Sequence, residues 1–177
     1  MSRVGKHEIE VPSSVKLLQE GNIWKVEGKL GKDSLRVPDC LEIAKTEKGI
    51  KVSPREATTY ARSMWGTIQR SLSNMIKGVS EGFTVDLELI GVGYKATLGG
   101  EKLTLQLGFS HDIEYVIPER VTIKCEKPTT ISITASSKQK AGAIAAFLRS
   151  YRQPEPYKGK GVIRTGEFVV RKEGKKK

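Results

Sequence analysis

The chain has 177 residues, 37% of them hydrophobic, which is enough to bury a core as one domain or as two small ones. Lys and Arg number 31 against 20 Asp and Glu, so the formal net charge is +11. A surface this basic attracts phosphate polyanions or anionic membranes before any specific contact forms. No apolar run approaches the roughly 20 residues that span a bilayer, and the first residues lack the apolar core of a signal peptide. We therefore expect a soluble, cytoplasmic protein.

The first part of the chain predicts six short strands. Apolar and polar residues alternate within most of them, which is typical of a sheet with one buried face and one face in water. The six segments are Ile9–Val11, Val15–Leu18, Ile23–Glu27, Ser34–Val37, Leu41–Ala44 and Ile50–Val52.

A helix is predicted to follow these strands. Ser53–Glu56 has the spacing of a capping box, with Pro54 at the first helical position, which indicates that a helix begins there. Gly78 predicts its end. The apolar stripe between them is typical of a helix that packs on a core rather than of a cofactor site. Its members are Tyr60, Ala61, Met64, Trp65, Ile68, Leu72, Met75 and Ile76.

The second part of the chain repeats this order of elements. Gly99–Gly100 predicts a tight hairpin turn, and Ser136 followed by Gln139 has the spacing of a second helix start. The apolar stripe of that helix consists of Ala141, Ile144, Ala145 and Leu148. The predicted strands are Thr84–Ile90, Tyr94–Leu98, Lys102–Leu107, Ile113–Ile117, Val121–Cys125 and Ile131–Thr134.

The two parts are related by an offset of 80 residues, which pairs Gly28 with Gly108, Pro38 with Pro118 and Ile43 with Ile123. Strands followed by a helix, rather than strands alternating with helices, indicate the α+β class. We predict two tandem duplicated domains, residues 1–81 and 82–152, each an antiparallel β-sheet with one helix packed on a face. A basic C-terminal extension, residues 153–177, follows them.

The net charge is concentrated at the end of the chain. Between Arg149 and Lys177 there are ten Lys and Arg against three acids, which gives +7 in 29 residues. Four glycines, two prolines and few large apolar residues lie in the same stretch, so we expect it to be loose on its own. It is either a solvated tail that aids solubility or an arm that orders on a polyphosphate partner.

The segment Gln153–Gly161 favours the second interpretation. Gly159 and Gly161 would let the backbone approach a ligand closely, and Tyr157 could stack on a base or sugar beside the neighbouring lysines. These features predict contact with nucleic acid, and composition alone suits DNA and RNA equally.

Catalytic and nucleotide-binding motifs are poorly supported. His111 and Asp112 are adjacent, and adjacent residues on a strand point to opposite faces. Gly91–Ala96 begins like a dinucleotide-binding fingerprint, but the residues after it alternate like a strand where that fingerprint needs a helix. Cys40 and Cys125 have no metal-ligand spacing, so we predict free thiols, no zinc site and no cofactor.

Several motifs together carry a family resemblance: Ser2–Lys6, Gly91–Ala96, Leu107–His111, Pro154–Gly161 and Arg171–Lys175. In order and spacing the chain resembles the bacterial L-six family of large-subunit ribosomal proteins. The resemblance implies two duplicated α+β domains and a role that is not enzymatic, namely binding of 23S rRNA near the stalk base and the factor-binding region, including the sarcin–ricin loop. The implied partners are 23S rRNA, neighbouring large-subunit ribosomal proteins and translation factors, with no membrane, DNA or small-molecule substrate.

The candidate RNA-binding residues come from two sources. The family motifs map onto Ser110, His111, Tyr157, Lys158, Gly159, Lys160, Gly161, Arg171, Lys172 and Lys175. The charge of the C-terminal segment adds Arg149, Arg152, Arg164, Lys176 and Lys177. Where the family often continues its terminal motif with a basic and then an aromatic residue, this chain has 163–166 as Ile-Arg-Thr-Gly, which leaves a phosphate contact to Arg164 but no stacking contact.

Two rival functions share the basic composition. An RNA-modifying or RNA-cleaving enzyme would need a catalytic residue such as His111, whose substitution would abolish turnover while leaving RNA binding intact. A general polyanion-binding or membrane-surface protein would bind heparin and anionic vesicles as well as rRNA. Neither rival explains the order and spacing of the terminal motifs.

Overall fold

The computed structural model describes residues 4–46 and 49–175. The chain divides into two compact units, which we call the first unit (Met1–Gly82 with Ser136–Lys138) and the second unit (Phe83–Ala135 with Gln139–Lys177). Each unit has its own cluster of buried apolar side chains. The two units therefore each bury a separate core.

The first unit combines two antiparallel sheets with one helix. A short 3-10 turn at Val4–Lys6 precedes the strands. One sheet has the order β1-β6-β5 and the other β2-β3-β4. The elements are β1 (Ile9–Glu10), β2 (Lys16–Glu20), β3 (Ile23–Gly28), β4 (Gly31–Arg36), β5 (Leu41–Thr46), β6 (Gly49–Pro54) and α1 (Thr59–Ser80).

The second unit has the same plan with one strand more. Its sheets have the orders β11-β12-β7-β13 and β10-β9-β8, and all their pairings are antiparallel. The elements are β7 (Phe83–Ile90), β8 (Lys95–Gly99), β9 (Lys102–Gln106), β10 (Ile113–Val116), β11 (Val121–Lys127), β12 (Thr130–Ala135), α2 (Lys138–Tyr151) and β13 (Gly161–Arg164).

The predicted duplication is present in the strand order. The sheet β1-β6-β5 of the first unit corresponds to β7-β12-β11 of the second, and β2-β3-β4 corresponds to β8-β9-β10. The α+β class and the repeat are thus confirmed, and each predicted strand overlaps an observed one. Each unit, however, divides its strands between two small sheets rather than forming one.

The start of α1 differs from the prediction. Pro54 is the last residue of β6 and pairs with Leu41, so Ser53–Glu56 does not cap the helix. The cap is Thr58, whose side-chain Oγ1 accepts a hydrogen bond from the Ala61 N–H at 3.2 Å. Pairing with β5 therefore keeps Pro54 in a strand, although the local sequence fits the start of a helix.

The predicted end of α1 is also wrong. Gly78 lies buried inside the helix, which continues to Ser80 and is followed by Gly82 in the left-handed region at φ 83°. The second helix begins at Lys138, one residue later than the spacing of Ser136 and Gln139 predicts.

The end of the chain is less loose than its composition suggests. Residues Gly161–Arg164 form β13, which pairs with β7 at the edge of the second unit's sheet. Val162 is fully buried and Ile163 is almost so. These two apolar residues and the edge of β7 supply the burial that the rest of the extension lacks.

Candidate nucleic-acid interface

Three loops of the second unit meet at one place, which we call the three-loop surface: residues 91–94, 108–112 and 152–160. Arg152, at the start of the third loop, contacts the second loop, because its guanidinium carbon lies 5.2 Å from the centre of the Phe109 ring. Its backbone carbonyl accepts a hydrogen bond from the Val162 N–H in β13 at 2.8 Å. The Tyr94 ring joins the first loop to the second, since it packs against Gly91 of its own loop and against Gly108. The surface is therefore built from segments far apart in the sequence.

The first loop is a tight turn that exposes an apolar side chain. The Tyr94 N–H donates to the Gly91 carbonyl at 3.3 Å, and Gly93 adopts φ 77°. A Cβ on Gly91 would come within 2.8 Å of the Tyr94 ring, so the motif's first glycine is required by packing. Val92, at the tip, is 92% exposed. The motif thus forms a turn before strand β8, not a dinucleotide site.

The second loop carries the predicted residues Ser110 and His111 on its exposed side. The His111 ring stacks on Phe109, with centroids 6.1 Å apart and planes at 24°. Asp112 has a different partner, because its Oδ2 accepts from Gln106 Nε2 at 2.9 Å. The arrangement suits stacking and phosphate contact rather than an acid–base pair.

The third loop is closed by its own backbone. The Glu155 N–H donates to the Lys160 carbonyl at 2.9 Å, and the Gly159 N–H donates to the Glu155 carbonyl at 3.1 Å. Further along the chain, the Lys172 N–H donates to the Pro156 carbonyl at 2.7 Å. This network fixes the loop while leaving Tyr157 58% exposed.

Gly159 of this loop and Gly161, which follows it at the start of β13, both lie close to other parts of the chain. A Cβ on Gly159, which has φ 70°, would lie 3.2 Å from the Arg171 guanidinium. A Cβ on Gly161, which has φ 147°, would lie 2.7 Å from the backbone of Gln153 and Pro154. Both glycines are therefore required for close approach within the chain, and their contact with a ligand stays a prediction.

A groove of about 550 Å³ runs between the first and third loops. Three of its lining side chains are cationic, one is acidic and three are large apolar or aromatic groups. The residues that line it are Val92, Tyr94, Arg152, Gln153, Glu155, Tyr157, Lys158 and Lys160. Cations beside exposed aromatic rings are the combination that binds single-stranded nucleic acid.

Comparison with known proteins shows the family of the chain. The sequence model of the family described as Ribosomal protein L6 matches residues 11–82 and 90–164, one segment in each repeat. The chain belongs to this family. It is 54% identical to the large ribosomal subunit protein uL6 of Paramagnetospirillum magneticum and 51% identical to that of Parvibaculum lavamentivorans, in both cases over the full length of the two chains. The protein of the same name from Rhodospirillum centenum is 48% identical, also over both full lengths.

The remaining predicted residues that the structure describes lie outside the lining of the groove. The Arg149 guanidinium is hydrogen-bonded to the Glu167 carboxylate, and Arg164 is exposed at the end of β13. Arg171 covers Gly159, while Lys172 and Lys175 are exposed. Lys176 and Lys177 lie outside the described residues.

Val92, Tyr94 and Phe109 are among the residues of the three-loop surface for which the sequence predicted no role. Each belongs to a motif that carries the resemblance to the L6 family, so the motifs were the available signal. The contacts of Phe109 with Arg152 and of Tyr94 with Gly108 depend on the folded sheet, which spacing alone does not reveal.

Three further features of this member of the family bear on its chemistry: acidic and metal-ligating side chains, the two cysteines and the helices. Within residues 4–46 and 49–175, no three His, Cys, Asp or Glu side chains cluster closely enough to hold a metal ion. Cys40 and Cys125 are free and half-buried, and burial raises the pKa of the Cys125 thiol. Neither of the two helices described is long and apolar enough to cross a membrane.

Proposed function

We propose that this protein is a structural constituent of the large ribosomal subunit in the cytoplasm and that it binds 23S rRNA near the stalk base, close to the sarcin–ricin loop and the factor-binding region. Its relatives carry the name large ribosomal subunit protein, and the chain matches them from end to end. We further propose that it acts without catalysis or a cofactor, as a binding protein that supports translation.

The observation that carries the proposal is the convergence of three loops around Arg152. Folded RNA hides its base edges in a deep, narrow groove, so proteins recognise it by shape, phosphates and unpaired bases. The three-loop surface offers cations for phosphates, at Arg152, Lys158 and Lys160, and exposed rings for stacking, at Phe109 and Tyr157. Because backbone hydrogen bonds close the first and third loops, little ordering of these two loops is needed on binding.

We propose a division of labour between the parts of the chain: residues 1–81 as a spacer, 82–152 as an rRNA-binding domain, and 153–177 as an extension that adds cations. The first domain would then face neighbouring ribosomal proteins or translation factors. Several of its lysines are already paired, since Lys25 lies 2.5 Å from Glu20 and Lys32 lies 2.7 Å from Glu27. Such pairs leave less positive charge for phosphates.

The test is binding of the full-length protein to 23S rRNA across a salt series. The double variant Lys158→Ala/Lys160→Ala removes two cations of the groove, and the control Lys124→Ala/Lys127→Ala removes two exposed cations of β11. We expect the first pair to weaken binding and to lower the log–log salt slope by about 0.9 for each duplex phosphate that the protein no longer neutralises. The control should change both quantities much less.

Equal effects of the two double variants would contradict the proposed interface, because binding would then depend on net charge alone. Two competitors separate the rival functions. Heparin and anionic vesicles that displace the protein as well as rRNA does would indicate a general polyanion binder. Incorporation of the wild-type chain into large subunits, with reduced incorporation of Lys158→Ala/Lys160→Ala, is the outcome expected in the cell.

A further inference from the structure

The groove of the three-loop surface contains one carboxylate among its cations. Glu155 lines it together with Arg152, Lys158 and Lys160. The backbone N–H and carbonyl of Glu155 are both hydrogen-bonded within the loop, so its side chain starts from a fixed position. A site made only for phosphate would gain from losing this charge, because a carboxylate repels phosphate. Its place in the groove therefore indicates a ligand that also brings hydrogen-bond donors.

The apolar groups of the groove indicate a ligand with a flat apolar face. Val92 is 92% exposed and Tyr157 58% exposed, although both could be replaced by polar residues at no cost in core packing. Phosphates gain nothing from such side chains, whereas every nucleobase has a π-face that stacks on an aromatic ring. The groove thus offers a stacking surface, donors for phosphate and an acceptor for N–H groups.

The size of the groove limits the ligand. Its volume of about 550 Å³ lies within the range of about 300–1,000 Å³ that is usual for pockets holding one small ligand. A base inside a duplex cannot enter such a groove, because it is stacked and paired. An unpaired base in a loop or bulge of RNA presents its hydrogen-bonding edge freely.

We propose that the groove holds the base of a single unpaired guanosine of the RNA, an inference that rests on the proposed function. The Glu155 carboxylate accepts the adjacent N1–H and N2–H of guanine, which are two parallel donors for its two oxygens. Tyr157 stacks on the base, while Arg152, Lys158 and Lys160 bind the flanking phosphates. Adenine, cytosine and uracil each offer fewer donors on that edge.

The variant Glu155→Gln tests this through the direction of its effect. A glutamine keeps the size of the side chain but places an N–H₂ group against the guanine donors, so we expect affinity for 23S rRNA to fall about tenfold, the effect of removing one good bidentate pairing with a base. A groove that binds phosphate alone would instead bind more tightly after loss of the negative charge. Unchanged or increased affinity overturns the guanosine inference.

The control is Glu126→Gln, which makes the same charge change on the exposed part of β11, outside the groove. It should leave affinity unchanged or raise it slightly. A second measurement uses short oligouridylates with one central guanosine, inosine or uridine, titrated into the full-length protein at low salt and followed by NMR shifts of the third loop. We expect the guanosine probe to bind more tightly than the uridine probe. Inosine lacks the N2 amino group, so the inosine probe should lose most of this gain in affinity.

The two proposals can fail separately. If wild-type protein binds 23S rRNA but Glu155→Gln binds at least as tightly, or the probes do not differ, the guanosine inference is wrong and the rRNA function stands. If wild-type protein does not bind 23S rRNA or enter the large subunit, the proposed function itself is wrong.

Discussion

The guanidinium of Arg149 donates two hydrogen bonds to the carboxylate of Glu167, from Nε to Oε2 at 3.0 Å and from Nη2 to Oε1 at 2.5 Å. Glu167 also accepts from the backbone N–H of Arg164 at 3.3 Å. One carboxylate thus joins the last turn of α2 to the end of β13. Bidentate pairs of this kind are stronger than single hydrogen bonds. The positive charge of Arg149 is therefore committed within the protein, and we leave this residue out of the proposed RNA-binding surface.

The pair predicts a pH-dependent contribution to stability. The hydrogen bond from Arg149 lowers the pKa of the Glu167 carboxyl below its usual value, against an opposing effect of burial. A lowered folded-state pKa stabilises the fold above the unfolded pKa, and the stabilisation is lost as pH falls through the folded value. Glu167→Gln should therefore reduce the free energy of unfolding by about 1 kcal/mol at neutral pH, since the pair is partly exposed, and by less in acid.

Urea unfolding measures the difference in free energy of unfolding between the wild-type protein and Glu167→Gln. It is carried out at neutral pH and at a pH below the usual pKa of a glutamate side chain. Glu126→Gln, on the exposed surface of β11, is the matched control and should have little effect at either pH. A difference between wild type and Glu167→Gln that persists unchanged in acid would show that the charge of Glu167 does not stabilise the fold.

Two glycines of the second unit predict opposite effects of the same substitution. Gly161 adopts φ 147°, and a Cβ there would meet the backbone of Gln153 and Pro154 at 2.7 Å. Gly142 lies inside α2 with no atom within 4 Å of an added Cβ. We expect Gly161→Ala to destabilise by about 3 kcal/mol through strain and overpacking. Gly142→Ala should stabilise by about 0.5–1 kcal/mol, because alanine is the better helix former.

Hydrogen exchange of the β7 amides is the measurement for the two glycine variants, because β13 pairs with that strand. Faster exchange in Gly161→Ala and equal or slower exchange in Gly142→Ala is the expected pattern. Similar exchange in both variants would mean that the loop before β13 relaxes to accept a side chain.

The fold follows from the sequence where the signal is local. In β9 and just beyond it, Leu103, Leu105 and Leu107 alternate with polar residues, and all three are fully buried. The signal fails where a distant strand decides the outcome. Ser53–Glu56 has a good capping pattern, yet the pairing of Pro54 with β5 delays the start of α1 to Thr59.

The candidate site, like the fold, was predictable from the sequence only where the signal is local. Lys158 and Tyr157 could be named from charge and from the motif that contains them, since both properties are visible in the chain. The contact between Arg152 and Phe109 could not, because 43 positions separate them and only the folded sheet brings them within 5.2 Å. Strand β13 was missed for a related reason, as four residues gain their order from β7, far away in the sequence.

In the first unit, removal of one indole N–H should lower the free energy of unfolding. Trp65 Nε1 donates to the Val52 carbonyl at 2.7 Å in a buried position, and this bond joins α1 to β6. Trp65→Phe keeps an aromatic ring but leaves the carbonyl without its donor. We expect the free energy of unfolding to fall by about 1–3 kcal/mol. Urea unfolding followed by the fluorescence of Trp24 measures it, and an unchanged midpoint would show that water replaces the indole donor.

Shortening the chain at two points separates folding from RNA binding. A chain ending at Ser150 loses β13, and with it the burial of Val162 and Ile163. At roughly 1.5–3 kcal/mol for each side chain, the loss is about 4 kcal/mol, a large part of the 5–15 kcal/mol typical of a domain. The open edge of β7 also becomes available for aggregation.

A chain ending at Val170 keeps β13 and the pair between Arg149 and Glu167, but it lacks five cations, Arg171, Lys172, Lys175, Lys176 and Lys177. We expect it to retain slow hydrogen exchange in β7 and to bind 23S rRNA with reduced affinity and a shallower salt slope, whereas the chain ending at Ser150 should exchange rapidly. Loss of binding in the shorter chain would therefore report unfolding of the second unit rather than removal of an arm. Slow exchange in both chains would show instead that β13 adds little to stability, and the C-terminal extension could then be treated as a separate arm.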